Sequence, residues 1–224
     1  GLHRPKDFVK KIHGILSGYF SEISLAEVKS ATKKAYDEYY SFMNKIHVKG
    51  MEFMKKAKEN DRPVIVLCGR PYHLDEEINH GIDQLITSYG AVVISEDCLP
   101  LAKNKFHTNV LNQWTYHARL YSAAHYVCQQ PDMYLVQLVS FGCGVDAVTT
   151  DQVEEITKQN NKLYTVLKID EGSNLGAARI RIRSLLSAIR VREKLNKKRT
   201  IRTEAITKVS FTEEMRKDYT ILCP

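Results

Sequence analysis

The chain shows two patterns of apolar and polar positions, and the change falls near Arg62. Up to residue 60, apolar residues recur every three or four positions, which is the spacing of amphipathic helices. The segment Ser24-Leu-Ala-Glu27 predicts a capping box, in which a hydroxyl and a carboxylate bond the first free amides of a second helix. Gly50 is a candidate break in this second helix. We therefore predict a helical hairpin over residues 1–60.

After Arg62, short β-rich runs alternate with amphipathic helical patterns. The runs are nearly continuous in apolar residues, as buried parallel strands are. This alternation predicts an α/β fold, with a Rossmann-like open parallel sheet of about four strands and helices on both faces, over residues 61–190. We expect residues 191–224 to be a basic linker and the start of a truncated next domain. The predicted strands are Val64 to Cys68, Ala91 to Ser95, Met133 to Ser140 and Leu163 to Ile169.

Positive charge is concentrated in one segment of the chain. Residues 179–208 hold eleven basic and two acidic residues, so this segment carries +9 and the remainder −2 of the formal +7. The basicity is therefore a weak sign of nucleic-acid binding. No stretch approaches the roughly 20 consecutive apolar residues of a membrane span, and the N-terminus lacks a signal peptide's apolar block. We expect a soluble cytoplasmic protein with no membrane or nucleic-acid partner.

Several common sites are not favoured by the motifs. The five cysteines are widely spaced without a CxxC pair, which argues against a disulfide framework and against a self-contained zinc site. GxGxxG, GxxxxGK[ST] and HExxH are not found, and neither is a serine-hydrolase elbow. Because the sequence begins with Gly1 and ends on an apolar run, we expect a piece of a longer protein.

Polar residues gather where the predicted strands end, which is where open parallel sheets bind ligands. Arg70, Tyr72 and His73 follow the first strand and can address an anion or a carbonyl group. Asn79 and His80 are predicted to lie early in the next helix, beside exposed amides and a positive dipole end. The candidate ligand-binding residues are Arg70, Tyr72, His73, Asn79, His80, Glu96, Asp97 and Asp170.

Arg70 has a second interpretation that the sequence leaves open. It could pair with Glu96 or Asp97 across adjacent strand ends and form a purely structural ion pair. His117 and His125 share a helical pattern with aromatic residues, and we interpret both as packing residues.

Cys143 is the candidate metal ligand. It lies at a strand end between two glycines, which would let a metal cluster or ligand approach the sulfur and the backbone. The alternative is a buried thiol that packs as a small hydrophobic side chain, and the strand-end position favours function. One thiolate cannot hold a metal alone, so further ligands must come from another domain or subunit. Cys68 and Cys128 are expected in the core, and Cys98 is a weaker second thiol for the crevice.

A set of spaced motifs resembles a known family. From about residue 62 to 190, the chain is similar to the large activase-related proteins of the 2-hydroxyacyl-CoA dehydratase system in anaerobic bacteria. The motifs are Gly69-Arg-Pro-Tyr-His73, Glu77-Ile-Asn-His-Gly81, Ser95-Glu-Asp97, Trp114-Thr-Tyr-His117, Ser140-Phe-Gly-Cys-Gly144, Asp146-Ala147, Lys168-Ile-Asp-Glu171 and Gly176-Ala-Ala-Arg-Ile-Arg-Ile-Arg183.

The resemblance implies a dehydratase-like region that takes part in ATP-driven, low-potential electron transfer through an iron–sulfur centre. It implies that Cys143 corresponds to a cluster cysteine, while the other ligands and the ATP-binding module lie elsewhere in the parent protein. The piece alone is then expected to be inactive. Expected partners are other domains of the parent chain and a dehydratase or dehydratase-like subunit. The alternative is a Rossmann-like binding module for an anionic small molecule or an acyl-CoA, without catalysis of its own.

Overall fold

The computed structural model describes residues 4–100, 106–140, 142–169 and 175–194 of the chain. Within these ranges the protein has an α/β fold, with four parallel strands and helices on both faces of the sheet. The fold class predicted from the sequence is confirmed. Within the same ranges, every helix is too short or too polar to cross a lipid bilayer.

The predicted N-terminal hairpin is formed by two helices that pack against each other, α1 (Pro5–Leu16) and α2 (Leu25–Glu59). The capping box of α2 is present. The Ser24 hydroxyl accepts a hydrogen bond from the Glu27 backbone N–H at 3.2 Å, and the Glu27 carboxylate accepts one from the Ser24 N–H at 2.9 Å. These reciprocal bonds satisfy amides that the first helical turn leaves free, and they explain where α2 begins.

Helix α2 continues through Gly50 without a break. Gly50 is buried against Cys98, and a Cβ atom added to it would lie 2.3 Å from the Cβ of Cys98. A glycine is needed at this position because the helix backbone lies directly against the residues that follow the second strand. The feature that the sequence offered as a helix break is therefore a packing contact.

The sheet has the strand order β2-β1-β3-β4, and all of its pairings are parallel. β1 is central and fully buried, as its continuous apolar run requires. The second and fourth strands each begin one residue later than the sequence predicted, and the first and third match. The strands are β1 (Val64–Cys68), β2 (Val92–Ser95), β3 (Met133–Ser140) and β4 (Tyr164–Ile169).

Helices cover the two faces of the sheet with separate cores. Helices α4 (Ile82–Ser88) and α7 (Gly176–Lys194) pack on one face. Helices α2, α5 (Thr115–Cys128) and α6 (Gly144–Gln159) pack on the other. The two inner strands, β1 and β3, are covered by helices on both sides. Their apolar residues therefore do not alternate with polar ones.

The strand order creates a switch point between β1 and β3. From β1 the chain first adds β2 on one side, and it then crosses over to add β3 and β4 on the other side. The loops that leave the C-terminal ends of β1 and β3 therefore diverge, and open α/β sheets bind ligands in the crevice that such loops leave. Cys68 and Ser140 are the last residues of these two strands.

The segment after β1 is not the continuous helix that the apolar spacing predicted. A four-residue helix, α3 (Glu76–Asn79), is separated from α4 by His80 and Gly81, whose φ angles are 54° and 73°. The Asp75 side chain caps α3 by accepting hydrogen bonds from two of its amides. Those amides were predicted to be available to a negatively charged ligand, and that prediction is wrong because an acidic side chain of the protein occupies them.

The division into residues 1–60, 61–190 and 191–224 stays a prediction. Helix α7 extends past residue 190 to Lys194, and residues 195–224 lie outside the described ranges. Helix α2 packs against β2 and the turn that follows it. The helical N-terminal segment is therefore in direct contact with the sheet.

Candidate functional site

The crevice at the switch point is formed by the loop after β1 and the loop between β3 and α6. Strand β1 leads through Gly69 to Arg70, and a short 3-10 helix, Pro71–Leu74, follows. Cys143 is the residue immediately before α6, and its side chain makes no capping bond to that helix. The fold thus brings two residues that are predicted from separate loops, Arg70 and Cys143, into contact.

Asp146 joins the two sides of the crevice. Its Oδ1 accepts a hydrogen bond from Arg70 Nε at 3.0 Å, and its Oδ2 accepts one from the Ser140 backbone N–H at 3.1 Å. Arg70 Nη2 donates to Cys143 Sγ at 2.7 Å. Asp146 is buried and Arg70 is partly exposed. The guanidinium is therefore held in one orientation, while its Nη1 group has no partner among the residues that the structure describes.

The structural ion pair that the sequence offered for Arg70 is wrong in its partners. Glu96 and Asp97 form a separate cluster with Arg119 of α5, which contacts Asp97 and places its Nη2 3.9 Å from Glu96 Oε1. Burial raises the pKa of the Glu96 carboxyl. Its Oε2 has no hydrogen-bond partner in the described part of the chain. Both carboxylates lie at the end of β2, and their positively charged partner is Arg119 of α5 rather than Arg70.

His73 lies beneath the mouth of the crevice and is 1% exposed. Its Nδ1 accepts a hydrogen bond from the Arg70 backbone N–H at 3.0 Å, and its Nε2 lies 3.0 Å from Ser140 Oγ. The Tyr72 hydroxyl lies 3.1 Å from the same Ser140 oxygen. Burial lowers the pKa of His73, so the neutral imidazole is favoured. Ser140 therefore joins a buried imidazole to an exposed phenol.

Gly69 makes this position of His73 sterically accessible. A Cβ atom at residue 69 would lie 2.4 Å from His73 Nδ1 and 2.9 Å from the Leu138 carbonyl oxygen. The imidazole consequently packs against bare backbone. Gly69 is therefore needed for the close approach of this side chain.

Cys143 is half-buried, whereas Cys68, Cys98 and Cys128 are buried. The prediction that Cys68 and Cys128 are core residues is confirmed. Cys98 packs against α2 through Gly50. Within the described ranges, no three His, Cys, Asp or Glu side chains come together as metal ligands. Since an iron–sulfur cluster takes four ligands as a rule, these residues by themselves do not fit a complete cluster site.

The remaining predicted site residues have varied surroundings. Tyr72 is 45% exposed at the crevice mouth. Asn79 is buried, and its Oδ1 accepts a hydrogen bond from the Gly81 N–H at 2.8 Å, so this side chain stabilises the turn between α3 and α4. His80 is one of the two residues of that turn that adopt a left-handed conformation. Asp170 lies outside the described residues.

Four residues near the strand ends had been given no binding role. Ser140, Asp146 and Arg119 make the contacts described above. Burial and the nearby positive charge of Arg70 lower the pKa of His117, which was interpreted as a packing residue. The sequence held one usable signal: Asp146 falls in the first turn of α6, where a carboxylate is favoured by the helix dipole and can bond back to the preceding loop.

This fold and crevice define a doubly wound, Rossmann-like α/β protein with a polar site at the switch point. Residues 2–99 match the family model described as CoA enzyme activase uncharacterised domain (DUF2229). Over that part, the chain is similar to CoA enzyme activase-related proteins. The match covers less than half of the chain, and it includes Arg70 and His73 but ends before Cys143. No match to a curated protein is found.

Proposed function

We propose that the chain is a binding module of a CoA enzyme activase-related protein, and that its switch-point crevice binds the anionic group of a small molecule or an acyl-CoA. The observation that carries this proposal is the state of Arg70. Asp146 fixes its guanidinium, while the Nη1 donors have no partner among the described residues. A guanidinium matches the geometry of carboxylate and phosphate oxygens, and its charge persists at any physiological pH.

The surroundings of Arg70 support an anion in the same place. Helix α6 has 16 residues, and Cys143 precedes its first residue. The Cys143 side chain makes no capping hydrogen bond to the first amides of this helix. Such amides and the helix dipole favour negative charge. The hydroxyl groups of Ser140 and Tyr72 lie at the same strand ends and add neutral hydrogen-bonding groups. The carboxylate of Asp146 is buried and already accepts two hydrogen bonds, so it does not compete with a ligand for the free donors.

Calorimetry of the 224-residue chain with acetyl-CoA, CoA and inorganic phosphate tests this proposal. Arg70→Gln is expected to weaken binding by at least about tenfold, because a hydrogen bond to a charged group is lost. Arg183→Gln is the matched control, since Arg183 is exposed on α7, which packs on the opposite face of the sheet from α6. Thermal unfolding checks that both proteins are folded. Equal affinity in folded wild type and folded Arg70→Gln would contradict the proposal.

A second candidate function follows from the space around Cys143. Gly142 and Gly144 flank the sulfur, and a Cβ atom at either position would meet nothing within 4 Å. We propose that Cys143 supplies one ligand of an iron–sulfur centre in the longer parent protein. The parent would then carry out ATP-driven, low-potential electron transfer in a system like that of 2-hydroxyacyl-CoA dehydratase. A cluster bound there would supply one-electron redox chemistry, and its remaining ligands would come from other parts of the parent.

Reconstitution of the full-length parent with iron and sulfide tests this second candidate. We expect Cys143→Ala to lower the iron content and to change the cluster's absorption spectrum. Cys128→Ala is the matched control, because it removes a thiol that is buried within α5. Iron content and spectrum that do not change in Cys143→Ala would contradict the ligand assignment.

A further inference from the structure

The protonation of His73 follows from one contact. The Arg70 backbone N–H points at His73 Nδ1 from 3.0 Å. A backbone N–H can only donate, so Nδ1 must be the acceptor and carries no proton. Neutral His73 therefore has its proton on Nε2. Its near-complete burial agrees with the uncharged form.

His73 in turn decides the direction of the next hydrogen bond. With the proton on Nε2, the imidazole donates to Ser140 Oγ, which lies 3.0 Å away. Ser140 and Tyr72 then share two hydroxyl protons, and one hydrogen bond joins their oxygen atoms. Whichever hydroxyl donates in that bond, the proton of the other has no acceptor among the residues that the structure describes. The hydroxyl pair therefore has one donor left for a ligand.

The opposite tautomer would reverse this result. If His73 carried its proton on Nδ1, Ser140 would donate to Nε2 and Tyr72 would donate to Ser140. Both hydroxyl protons would then be used within the protein, and the pair could only accept. The Arg70 backbone N–H can only donate, so it excludes a proton on His73 Nδ1 and with it this second arrangement.

We infer that His73 is a positioning residue that sets the Ser140–Tyr72 pair as a hydrogen-bond donor toward the crevice. This inference rests on the proposed function. The pair then acts together with the Nη1 donors of Arg70, so the free groups on both sides of the crevice donate. Such a site selects an oxyanion, a carboxylate or a phosphate, over a neutral amide of the same shape.

The experiment measures binding of acetate, inorganic phosphate and acetamide to the 224-residue chain by NMR titration. The two anions distinguish a carboxylate site from a phosphate site, and acetamide is the neutral counterpart of acetate. His73→Leu is expected to weaken anion binding about tenfold, because Ser140 loses the hydrogen bond that it accepts from His73 Nε2 and its hydroxyl is then free to turn away from the crevice. His73→Gln keeps an N–H for Ser140 and is expected to stay within about threefold of wild type.

Two further measurements separate positioning from a merely structural role. Tyr72→Phe should weaken anion binding less than Ser140→Ala does, since Ser140 still accepts from His73 and keeps its own proton to donate. The nitrogen shifts of His73 should show the proton on Nε2. If His73→Leu does not fold, Ser140→Ala removes the hydroxyl through which His73 acts and should cause the same tenfold loss, about 1.4 kcal/mol.

The outcomes distinguish this inference from the proposed function. If wild type binds an anion in an Arg70-dependent way but His73→Leu and Ser140→Ala bind equally well, the inference about His73 is wrong. A proton on Nδ1, or acetamide binding as tightly as acetate, overturns it as well. If wild type binds neither anion, or if Arg70→Gln binds both normally, the proposed function itself fails.

Discussion

Glu96 and Asp146 are both buried carboxylates near the C-terminal ends of the strands, but they differ in the hydrogen bonds that they accept. Asp146 accepts hydrogen bonds from Arg70 and from the Ser140 amide. Glu96 has a guanidinium only at 3.9 Å, and one of its oxygen atoms has no partner in the described part of the chain. Burial therefore raises the pKa of Glu96, because the charged form loses water without gaining enough in return.

Glu96→Gln is expected to stabilise the protein at neutral and higher pH. The folded-state pKa lies above the ordinary value of 4.5, so the folded protein binds more protons than the unfolded chain from pH 4.5 up to that raised pKa. Wild type loses stability as the pH rises through this window, and the glutamine variant does not. Urea unfolding from pH 4.5 to about pH 8 should show the variant gaining on the order of 1 kcal/mol over wild type.

Glu52 supplies a control with a shift of the opposite sign. Hydrogen bonds from Lys49 and Lys56 lower the pKa of this exposed carboxyl to about 2. Its contribution to the pH dependence of stability falls mainly between its folded pKa of about 2 and the ordinary value of 4.5, so the difference between Glu52→Gln and wild type should be constant well above pH 4.5. The same constancy for Glu96→Gln would show that the pKa of Glu96 is not raised.

At the scale of elements, the fit between α2 and the sheet depends on one residue without a side chain. Gly50 is buried, and the helix backbone approaches Cys98 so closely that no Cβ atom fits. The same contact region includes a hydrogen bond between His47 Nδ1 and the Cys98 carbonyl oxygen at 2.8 Å. The C-terminal half of α2 is therefore fixed to the turn after β2 by close packing and by one polar contact.

Gly50→Ala is expected to destabilise the fold by about 1–3 kcal/mol, because the added methyl group forces α2 away from Cys98. Gly14→Ala is the matched control in α1, where an added Cβ meets nothing within 4 Å. There the substitution should stabilise by about 0.5–1 kcal/mol through helix propensity alone. Urea unfolding of both variants checks the pair. A Gly50→Ala variant as stable as Gly14→Ala would show that α2 is not packed this closely.

The elements themselves were largely predictable, because their signals are local. The two helices of the hairpin follow from apolar periodicity, the four strands follow from nearly continuous apolar runs, and the start of α2 follows from its capping box. The break between α3 and α4 was missed. Periodicity continues across it, and the break depends on His80, a residue other than glycine, adopting a left-handed conformation. The Asn79 side chain stabilises this turn by accepting a hydrogen bond from the Gly81 N–H, and the spacing of apolar residues does not record that contact.

At the scale of the whole molecule, strand order decides which residues meet. The loop after β1 lies beside the loop after β3, and Arg70 therefore pairs with Asp146, 76 positions away. The end of β2 is covered by α5, so Glu96 and Asp97 meet Arg119. A sequence shows that acidic and basic residues stand at strand ends, but it does not show which crossover places them together.

The sequence by itself determined the class of fold, the helical hairpin, the extent of the strands and the location of reactive residues at strand ends. Each of these follows from burial patterns within a single element, and such patterns are written in adjacent residues. Only the tertiary structure decided the partners: Arg70 with Asp146 and Cys143, and His73 with Ser140. Partners of this kind depend on long-range packing of several elements at once, and the spacing of residues along the chain carries little information about it.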